Sequence, residues 1–455
     1  MADLSSLIIE SQRRKFTVNS VKVQGVVHTS HALLEKVTRP LLAAENLGDL
    51  IVGSRNVADH LRRLDVFKNV AIVLDSPPGS ADLVNVIFRV EEAQRLFART
   101  GADFGANDGS MNLSFNIRNA FGGAETLSAN TSYAIDSSGP IYHKDSGDMA
   151  GASSHQFSFS TPIDADPDRR FEATGYKQSR NHTLLMSHHE KITGLSLKLR
   201  NLYGIAKQEM GYDAVWRENH SFEPTASQSI RQDAGHSLKS ALSHSLSFDS
   251  RDDSVLPFRG LYFRAFQEVA GLGGDVRHVK AEVDTQATLP LPFGFVSAHD
   301  EPQSLTSSLR GGVIAPFGGQ KRNRVNDRFF LGGPLSVRGF KQAGIGPRDG
   351  KESLGGDAYW AGSLGLLSPL PFIPLKPVKA QVYLNGGSLV PLRLDQSPAG
   401  NAQALFATPS VSAGIGLAAR FTIFRIELNY NVPLAVCATD NIKPGFQFGI
   451  GMNFM

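Results

Sequence analysis

The most distinctive run of residues in this sequence is a glycine- and proline-rich stretch that contains a single arginine. It reads Phe-Leu-Gly-Gly-Pro-Leu-Ser-Val-Arg-Gly-Phe from Phe330 to Phe340, which places Arg338 between Val337 and Gly339. A guanidinium removed from water needs a carboxylate partner, ideally in bidentate geometry. The simplest interpretation of the stretch is a turn-rich loop whose arginine has such a partner elsewhere in the chain.

Patterns typical of enzymes and metal sites do not occur in the sequence. His182, His188 and His189 have no carboxylate or further ligand at a defined spacing, so we expect no metal site. The glycines of 271–274 are not followed by an apolar helix, which argues against a phosphate-binding loop. Neither G-x-S-x-G nor H-E-x-x-H is present. We therefore expect no enzyme activity, no metal and no cofactor.

Composition excludes several further classes of protein. The 455 residues carry 46 Lys+Arg against 43 Asp+Glu, a net charge of +3 that gives no support to nucleic-acid binding. The single cysteine, Cys437, excludes a disulfide scaffold and a cysteine-built zinc site. The 44 glycines indicate many turns, whereas 28 phenylalanines provide enough apolar surface to oppose disorder.

The sequence contains neither a secretory signal nor an apolar run long enough for a membrane-spanning helix. The short apolar run 7–9 is followed by basic residues 13–15, so no secretory signal is expected. The longest candidate for a membrane helix, 358–375, is interrupted by Pro369, Pro371 and Pro374, so no helical span is expected. Transmembrane barrels escape this test because their strands alternate in polarity.

Residues 16–92 follow an order of elements that differs from the rest of the chain. Strand-like alternation over 16–25 precedes two helical segments, with Ser30 and Ser54 as candidate N-caps. Two further strands, 66–74 and 82–91, are separated by a Pro-Pro-Gly turn. This order predicts a small α+β domain over 16–92, after an N-terminal segment of residues 1–15.

From about residue 95 the sequence alternates between apolar and polar residues. The C-terminus is the clearest case, since Phe446, Phe448, Ile450, Met452 and Phe454 alternate with polar or small residues. About 360 residues at roughly 22 per strand and loop give about 16 strands, an even number that suits a closed barrel. We therefore predict an all-β transmembrane barrel over 95–455, with a soluble β-sandwich as the structural alternative.

The arginine loop resembles the signature loop of the outer-membrane barrel assembly superfamily. Its members insert other barrels or pass polypeptides across outer membranes, and their (I/V)-R-G-F loop folds into the lumen. The resemblance assigns this loop to Val337, Arg338, Gly339 and Phe340, and implies that the arginine pairs with an acidic residue of the barrel wall. Asp357 and Glu427 are the two candidate partners, and both remain open at this point.

Three further features carry the same resemblance. The α+β domain is similar to a single polypeptide-transport-associated (POTRA) domain, and the run from Asp249 to Gly260 resembles the family's D-x-R-D…P-x-R-G element. With a single such domain and no secretory signal, the sequence resembles the mitochondrial branch of the superfamily, whose members form the central barrel of the sorting and assembly machinery. The last strand fits the mitochondrial β-signal, the C-terminal pattern of barrel precursors, at Gln447, Gly449, Met452 and Phe454.

The resemblance implies an insertase of the mitochondrial outer membrane, with the POTRA-like domain in the intermembrane space. Precursors would be recognised at a lateral gate between the last strand and a first strand over 96–107, which contains Gly101, Ala102, Phe104 and Gly105. Implied partners are β-barrel precursors, the lipid bilayer, accessory subunits on the cytosolic side and intermembrane-space chaperones. A polypeptide-translocating channel of the same superfamily is the alternative, and a passive metabolite pore is a third class.

Overall fold

The computed structural model describes residues 17–76, 83–104, 108–136, 153–182, 186–291, 303–370, 378–421 and 424–451. Two compact units divide the chain, one of residues 1–178 with 195–201 and one of 179–194 with 202–455. Among the helices within the described residues, none has the length and apolar character that a membrane crossing requires.

The N-terminal domain has the predicted order of strand, helix, helix, strand, strand. Its elements are β1 (Thr17–Gln24), α1 (His31–Thr38), a 3₁₀ turn (Arg39–Ala43), α2 (Leu47–Arg63), β2 (Phe67–Asp75) and β3 (Leu83–Glu92). Strand β3 lies in the centre of the sheet, parallel to β1 and antiparallel to β2. The small α+β domain is thus present.

The two helices begin at side-chain caps. Ser30 caps α1 as predicted, because its hydroxyl accepts the backbone N–H of Leu33. The predicted cap at Ser54 is wrong: α2 begins at Leu47, and the side chain of Asn46 accepts the N–H of Asp49 at 2.8 Å. Ser54 lies buried within the helix instead, so the helix is longer than its apolar spacing indicated.

The core of this domain extends to two strand-connecting turns of the same unit. Ala124 and Ala165 belong to the same apolar cluster as the buried face of α2. His60 of α2 donates from its ring Nε2 to the carbonyl oxygen of Ala165 at 2.6 Å. Buried Asn119 donates to the hydroxyl of Thr29 and accepts from the N–H of Ala124, each at 2.9 Å. The domain is therefore packed against these turns as well as on itself.

The carboxylate of Glu92 organises the segment that follows β1. It accepts the backbone N–H groups of Val27, His28 and Thr29 and the hydroxyl of Thr29, at 2.7 to 3.2 Å. Partial burial alone would raise the pKa of Glu92, but the Thr29 hydroxyl and these N–H groups outweigh it and hold the pKa below 4.5. The carboxylate is therefore the form that the fold stabilises.

We expect acid to release this segment. Because the folded-state pKa is depressed, the stabilisation is present above the unfolded pKa of 4.5 and is lost as pH falls through the lower folded value. Amide exchange of residues 27–29, corrected for intrinsic rates, should accelerate in acid. Glu92→Gln should expose these amides at every pH and remove the acid step, whereas Glu35→Gln on the exposed face of α1 should change neither. An acid step that persists in Glu92→Gln contradicts this assignment.

The remaining strands form one antiparallel sheet of 16. They are β4 (Leu96–Phe104), β5 (Asp108–Arg118), β6 (Thr126–Asp136), β7 (Ser153–Ile163), β8 (Asp166–Asn181), β9 (His189–Tyr203), β10 (Ala206–His220), β11 (Gly235–Asp249), β12 (Gly260–Gly274), β13 (His278–Pro290), β14 (Ser304–Pro316), β17 (Ala358–Pro369), β18 (Val378–Val390), β19 (Ser410–Phe421), β20 (Phe424–Ala435) and β21 (Gly445–Gly451). Their order in the sheet follows the chain, from β4 at one end to β21 at the other. Two short helices, α3 (Gln228–Arg231) and α4 (Pro398–Ala407), lie in connections.

The last two strands show the two faces of this sheet most clearly. Leu428 and Tyr430 of β20 are about half exposed, whereas Glu427 and Asn429, which alternate with them along the strand, are buried. On β21, Phe446 is 71 % exposed and Gln447 only 3 %. An apolar face turned outward and a polar face turned inward is the arrangement of a membrane barrel, the reverse of a soluble sandwich. The predicted 16-stranded barrel class is confirmed, and the sandwich alternative is wrong.

Candidate functional site

The arginine loop is the connection 317–357 between β14 and β17. It contains a 3₁₀ turn, Val325–Asp327, and a short hairpin of β15 (Arg348–Asp349) and β16 (Glu352–Ser353). Isolated bridges join Phe329 to Gly356 and Leu331 to Ile345, so the loop pairs with itself. Its apolar side chains form a cluster with the sheet: Ile314, Phe329, Leu331, Val337, Phe340, Ile345, Ala361 and Leu389. Burial of Val337 and Phe340 therefore holds the segment around Arg338 against the inner face of the sheet.

Arg338 forms a bidentate ion pair with Glu427 of β20. Its Nε donates to Oε2 at 2.9 Å and its Nη2 to Oε1 at 3.1 Å, and both side chains are almost fully buried. Arg425, two residues earlier on β20, also contacts Oε1 of Glu427. The Arg338 guanidinium lies 4.6 Å from the ring centre of Tyr383. One carboxylate therefore serves two buried guanidinium groups, a charge distribution that depends on Glu427 remaining ionised.

Asp357, the other candidate partner, binds elsewhere. Its Oδ1 accepts from the side-chain amide of Asn323 at 2.8 Å and lies 3.4 Å from Nε of Arg328. Its Oδ2 accepts the backbone N–H of Leu392 at 3.1 Å. Asp357 thus fixes the base of the arginine loop, while Glu427 pairs with Arg338.

Gln447 of the last strand holds the loop backbone next to Arg338. Its Oε1 accepts the N–H of Gly339 at 3.1 Å, and its Nε2 donates to the carbonyl oxygen of Phe340 at 3.0 Å. The hydroxyl of Ser412 donates to the carbonyl oxygen of Arg338. Gly339 has φ +85°, and a Cβ there would lie 3.0 Å from Cβ of Ser412, so glycine suits both the conformation and the space. The last strand and the loop are therefore joined through backbone as well as side-chain groups.

The remaining predicted residues that the structure describes lie on the two end strands of the sheet order, β4 and β21. Gly101, Ala102 and Phe104 belong to β4, paired with β5, and apart from its two chain neighbours no atom of the described residues lies within 4 Å of a Cβ built on Gly101. Gly449 of β21 lies opposite Glu427 in the register. Gly105, Met452 and Phe454 fall outside the described residues.

A second buried ion-pair group holds the arginine loop, and sequence reasoning missed it. Asp327 of the 3₁₀ turn accepts both terminal nitrogens of Arg217 at 3.0 Å, and Lys239 lies 3.6 Å away. Lys239 also pairs with Glu268, which accepts from His278 at 2.8 Å. The sequence does place charged residues on the polar, inward-facing side of β10 to β13. The alternating pattern shows which way these side chains face, but it does not show which of them pair with each other.

The sequence of this chain is similar to a known protein family over nearly its whole length. Residues 119–454 match the Omp85 superfamily domain. A sorting and assembly machinery component 50 homolog of Xenopus tropicalis is 34 % identical over 454 residues, covering 98 % of this chain and 92 % of the relative. The human homolog of the same name is 33 % identical with the same coverage. A SAM50-like protein of Schizosaccharomyces pombe is 32 % identical, covering 99 % of this chain and 94 % of its own length.

Solved structures agree on the fold. The crystal structure of BamA from Haemophilus ducreyi lacking POTRA domains 1–3 superposes with a TM-score of 0.76 at 18 % identity. The match covers 96 % of this chain and 84 % of that one. CdiB from Acinetobacter baumannii superposes less closely, with a TM-score of 0.53 at 17 % identity. At nearly full length and about one-third identity, the sequence relatives are decisive, and the chain belongs to the sorting and assembly machinery component 50 family of the Omp85 superfamily.

Proposed function

We propose that this chain inserts β-barrel precursors into the mitochondrial outer membrane by pairing their β-signal with β4 at a lateral gate between β4 and β21. Membership of the family supports a role in β-barrel assembly. The supporting observation in the structure is Gln447, the polar position of the β-signal pattern, which binds the arginine-loop backbone through two hydrogen bonds. A precursor strand with the same pattern carries a polar side chain at the same position.

Strand addition supplies the driving force in this proposal. A strand edge facing lipid leaves N–H and C=O groups unsatisfied, at several kcal/mol each. Pairing with a precursor strand satisfies them, gives backbone affinity, and reads alternate side chains for specificity. Successive precursor strands then add to the growing edge without a nucleotide. Glycines such as Gly101 and Gly449 contribute no side-chain packing across the gate, which favours its opening.

The exposed apolar face of the sheet supports lipid as a partner in this role, and the remaining partners follow from the proposed orientation. Phe446, Phe448 and Ile450 of β21 are all more than half exposed and offer an apolar face to lipid. In the proposed orientation, the N-terminal domain lies in the intermembrane space and meets precursors delivered by chaperones there. The connections at the other ends of the strands face the cytosol and the accessory subunits.

Disulfide crosslinking in isolated membranes tests the proposal. Cys437→Ser removes the native thiol, Ala102→Cys places one in β4, and single cysteines along the β-signal of an arrested precursor provide the partners. We expect crosslinks whose register changes in steps of two residues, because strand neighbours alternate between faces. A precursor with its β-signal scrambled is the matched control and should give none.

A polypeptide-translocating channel predicts a different pattern. Chains crossing the lumen would crosslink to Ser247→Cys, which lies on the same face of β11 as Asp249, and not to Ala102→Cys. Glu427 is unsuitable as the lumen probe because its carboxylate holds Arg338. Crosslinks at Ser247 alone would overturn the insertase proposal.

A further inference from the structure

The acidic turn between β11 and β12, residues 250–259, folds across to two later strands. Leu256 of this turn is buried in a small apolar cluster with Leu367 of β17 and Ala418 of β19. Asp253 pairs with Arg420 at the end of β19. In the sheet order β13 and β14 separate β12 from β17, so the turn reaches these strands across the inner face of the sheet.

The carboxylates of the turn accept hydrogen bonds mainly from the backbone of the turn itself. Oδ1 of Asp252 accepts the backbone N–H groups of Asp253, Phe258 and Arg259 at 3.0 to 3.2 Å. Oδ1 of Asp253 accepts those of Val255 and Leu256, at 2.8 and 3.3 Å. The sequence of the turn is acidic, but Asp252 serves its backbone and Asp253 serves its backbone and Arg420, so neither pairs with an arginine of the cavity below.

Beneath the turn lies a cavity of about 70 Å³, room for several waters or one small anion. Its polar lining contains one carboxylate and four guanidinium groups, contributed by the turn and by β12, β13, β14 and β20: Arg251, Arg264, Arg310, Arg425 and Asp284. Arg338 lines the adjoining cleft together with Arg425. The arginines of the two clefts thus come from separate parts of the chain and converge on one place.

Positive charge exceeds negative charge here. Arg251 pairs with Asp249, Arg310 with Asp284, and Arg338 and Arg425 share Glu427. Five guanidinium groups therefore face three carboxylates, an excess of two positive charges. Such a local excess of one sign of charge concentrates ions of the opposite charge.

Arg264 is the cation that lacks a carboxylate. Its Nε donates to the hydroxyl of Ser245 at 3.4 Å, and within the described residues no acidic group lies within ion-pair distance of it. Arg310 uses Nε for Asp284 at 3.1 Å, and its terminal nitrogens make no hydrogen bond to the described residues. Both side chains therefore present N–H donors to whatever occupies the cavity.

We propose that this cavity is an oxyanion site in which Arg264 and Arg310 bind a phosphate or carboxylate group. Guanidinium groups match both anions through paired N–H donors. The ligand is either free inorganic phosphate or the carboxylate of an acidic side chain on a polypeptide within the lumen. The site stands independently of the lateral gate, because none of its residues belongs to β4 or β21.

Equilibrium binding to the full chain in detergent micelles at low ionic strength tests this site. The probes are radiolabelled inorganic phosphate and N-acetylglutamate amide, with N-acetylglutamine amide as the uncharged control. We expect saturable binding of at least one anion below about 10 mM, weakened at least about tenfold by Arg264→Gln and partly restored by Arg264→Lys. Lys207→Gln removes a partly exposed cation of β10 that is paired with Glu209 and should change affinity less than about twofold.

Each outcome decides the proposal. Preference for phosphate identifies a free ion as the ligand, and preference for the acetylated glutamate identifies a polypeptide carboxylate. Absence of saturable binding of both, or equal binding by wild type and Arg264→Gln, overturns the site. Thermal unfolding should be unchanged in Arg264→Gln, since its side chain is exposed and makes one long hydrogen bond. Crosslinking at the gate is unaffected by either result, which separates this proposal from the insertase.

Discussion

Replacing Glu427 by glutamine is expected to destabilise the protein by about 3–5 kcal/mol. The change leaves the buried guanidinium groups of Arg338 and Arg425 facing each other without the anion that they share. Repulsion and the desolvation of both cations then go uncompensated. Urea unfolding of the full chain in micelles, followed by the fluorescence of Trp216 and Trp360, measures the loss.

A double variant tests whether repulsion between the two arginines causes the loss, and a surface carboxylate provides the control. The double variant Glu427→Gln with Arg425→Gln removes the repulsion and should recover part of the lost free energy. Glu209→Gln removes a partly exposed carboxylate paired with Lys207 and should cost less than about 1 kcal/mol. Equal stability of Glu427→Gln and wild type would show that the shared carboxylate contributes nothing.

Asp327→Asn is expected to have an effect of similar size, about 3–5 kcal/mol, at the other fixed point of the arginine loop. It removes the bidentate partner of buried Arg217 and the second carboxylate near Lys239. Burial alone would raise the pKa of Asp327, but the charges of Arg217 and Lys239 outweigh it and lower the pKa. Its stabilisation is therefore present above the unfolded pKa of 3.8 and disappears as pH falls through the lower folded value.

The free energy of unfolding measured across acid pH distinguishes the loss of the ionised Asp327 carboxylate from a nonspecific loss of stability. Wild type should lose stability in acid at a steeper rate than Asp327→Asn, because the variant has already lost the titrating group. Asp275→Asn is the matched control: its carboxylate is exposed and accepts only the N–H of Leu238 among the described residues. An acid dependence in Asp327→Asn as steep as that of wild type would contradict the linkage.

The fold was predictable from sequence wherever apolar and polar residues alternate with the regular period of a strand or helix. Alternation along the last strand, with Phe446 and Phe448 outward and Gln447 inward, follows from the pleat and needs no knowledge of other strands. The length of α2 was harder, because glycines and polar residues at 47–56 hide a helix whose buried face is completed by the sheet beside it. Tertiary packing overrides weak local preference there.

The site was predictable only in part, because its contacts join distant segments. An arginine in a turn-rich loop indicated a carboxylate partner, and Glu427 on the polar face of β20 was one of two candidates. Its pairing with Arg338 depends on how deeply the loop enters the sheet's inner side, which periodicity does not encode. The same limit applies to Asp327 and Arg217, since the turn and β10 are 110 residues apart.

The residues that hold the arginine loop lie far along the chain from it, which affects when the loop becomes fixed during folding. Arg338 and Glu427 are 89 residues apart, and Gly339 and Gln447 are 108 apart. The partners that lock the loop lie in β20 and β21, so any nascent or truncated form that stops before β20 has Arg338 without its carboxylate. Because contacts between distant segments form slowly, the loop becomes fixed only after β20 and β21 have joined the sheet.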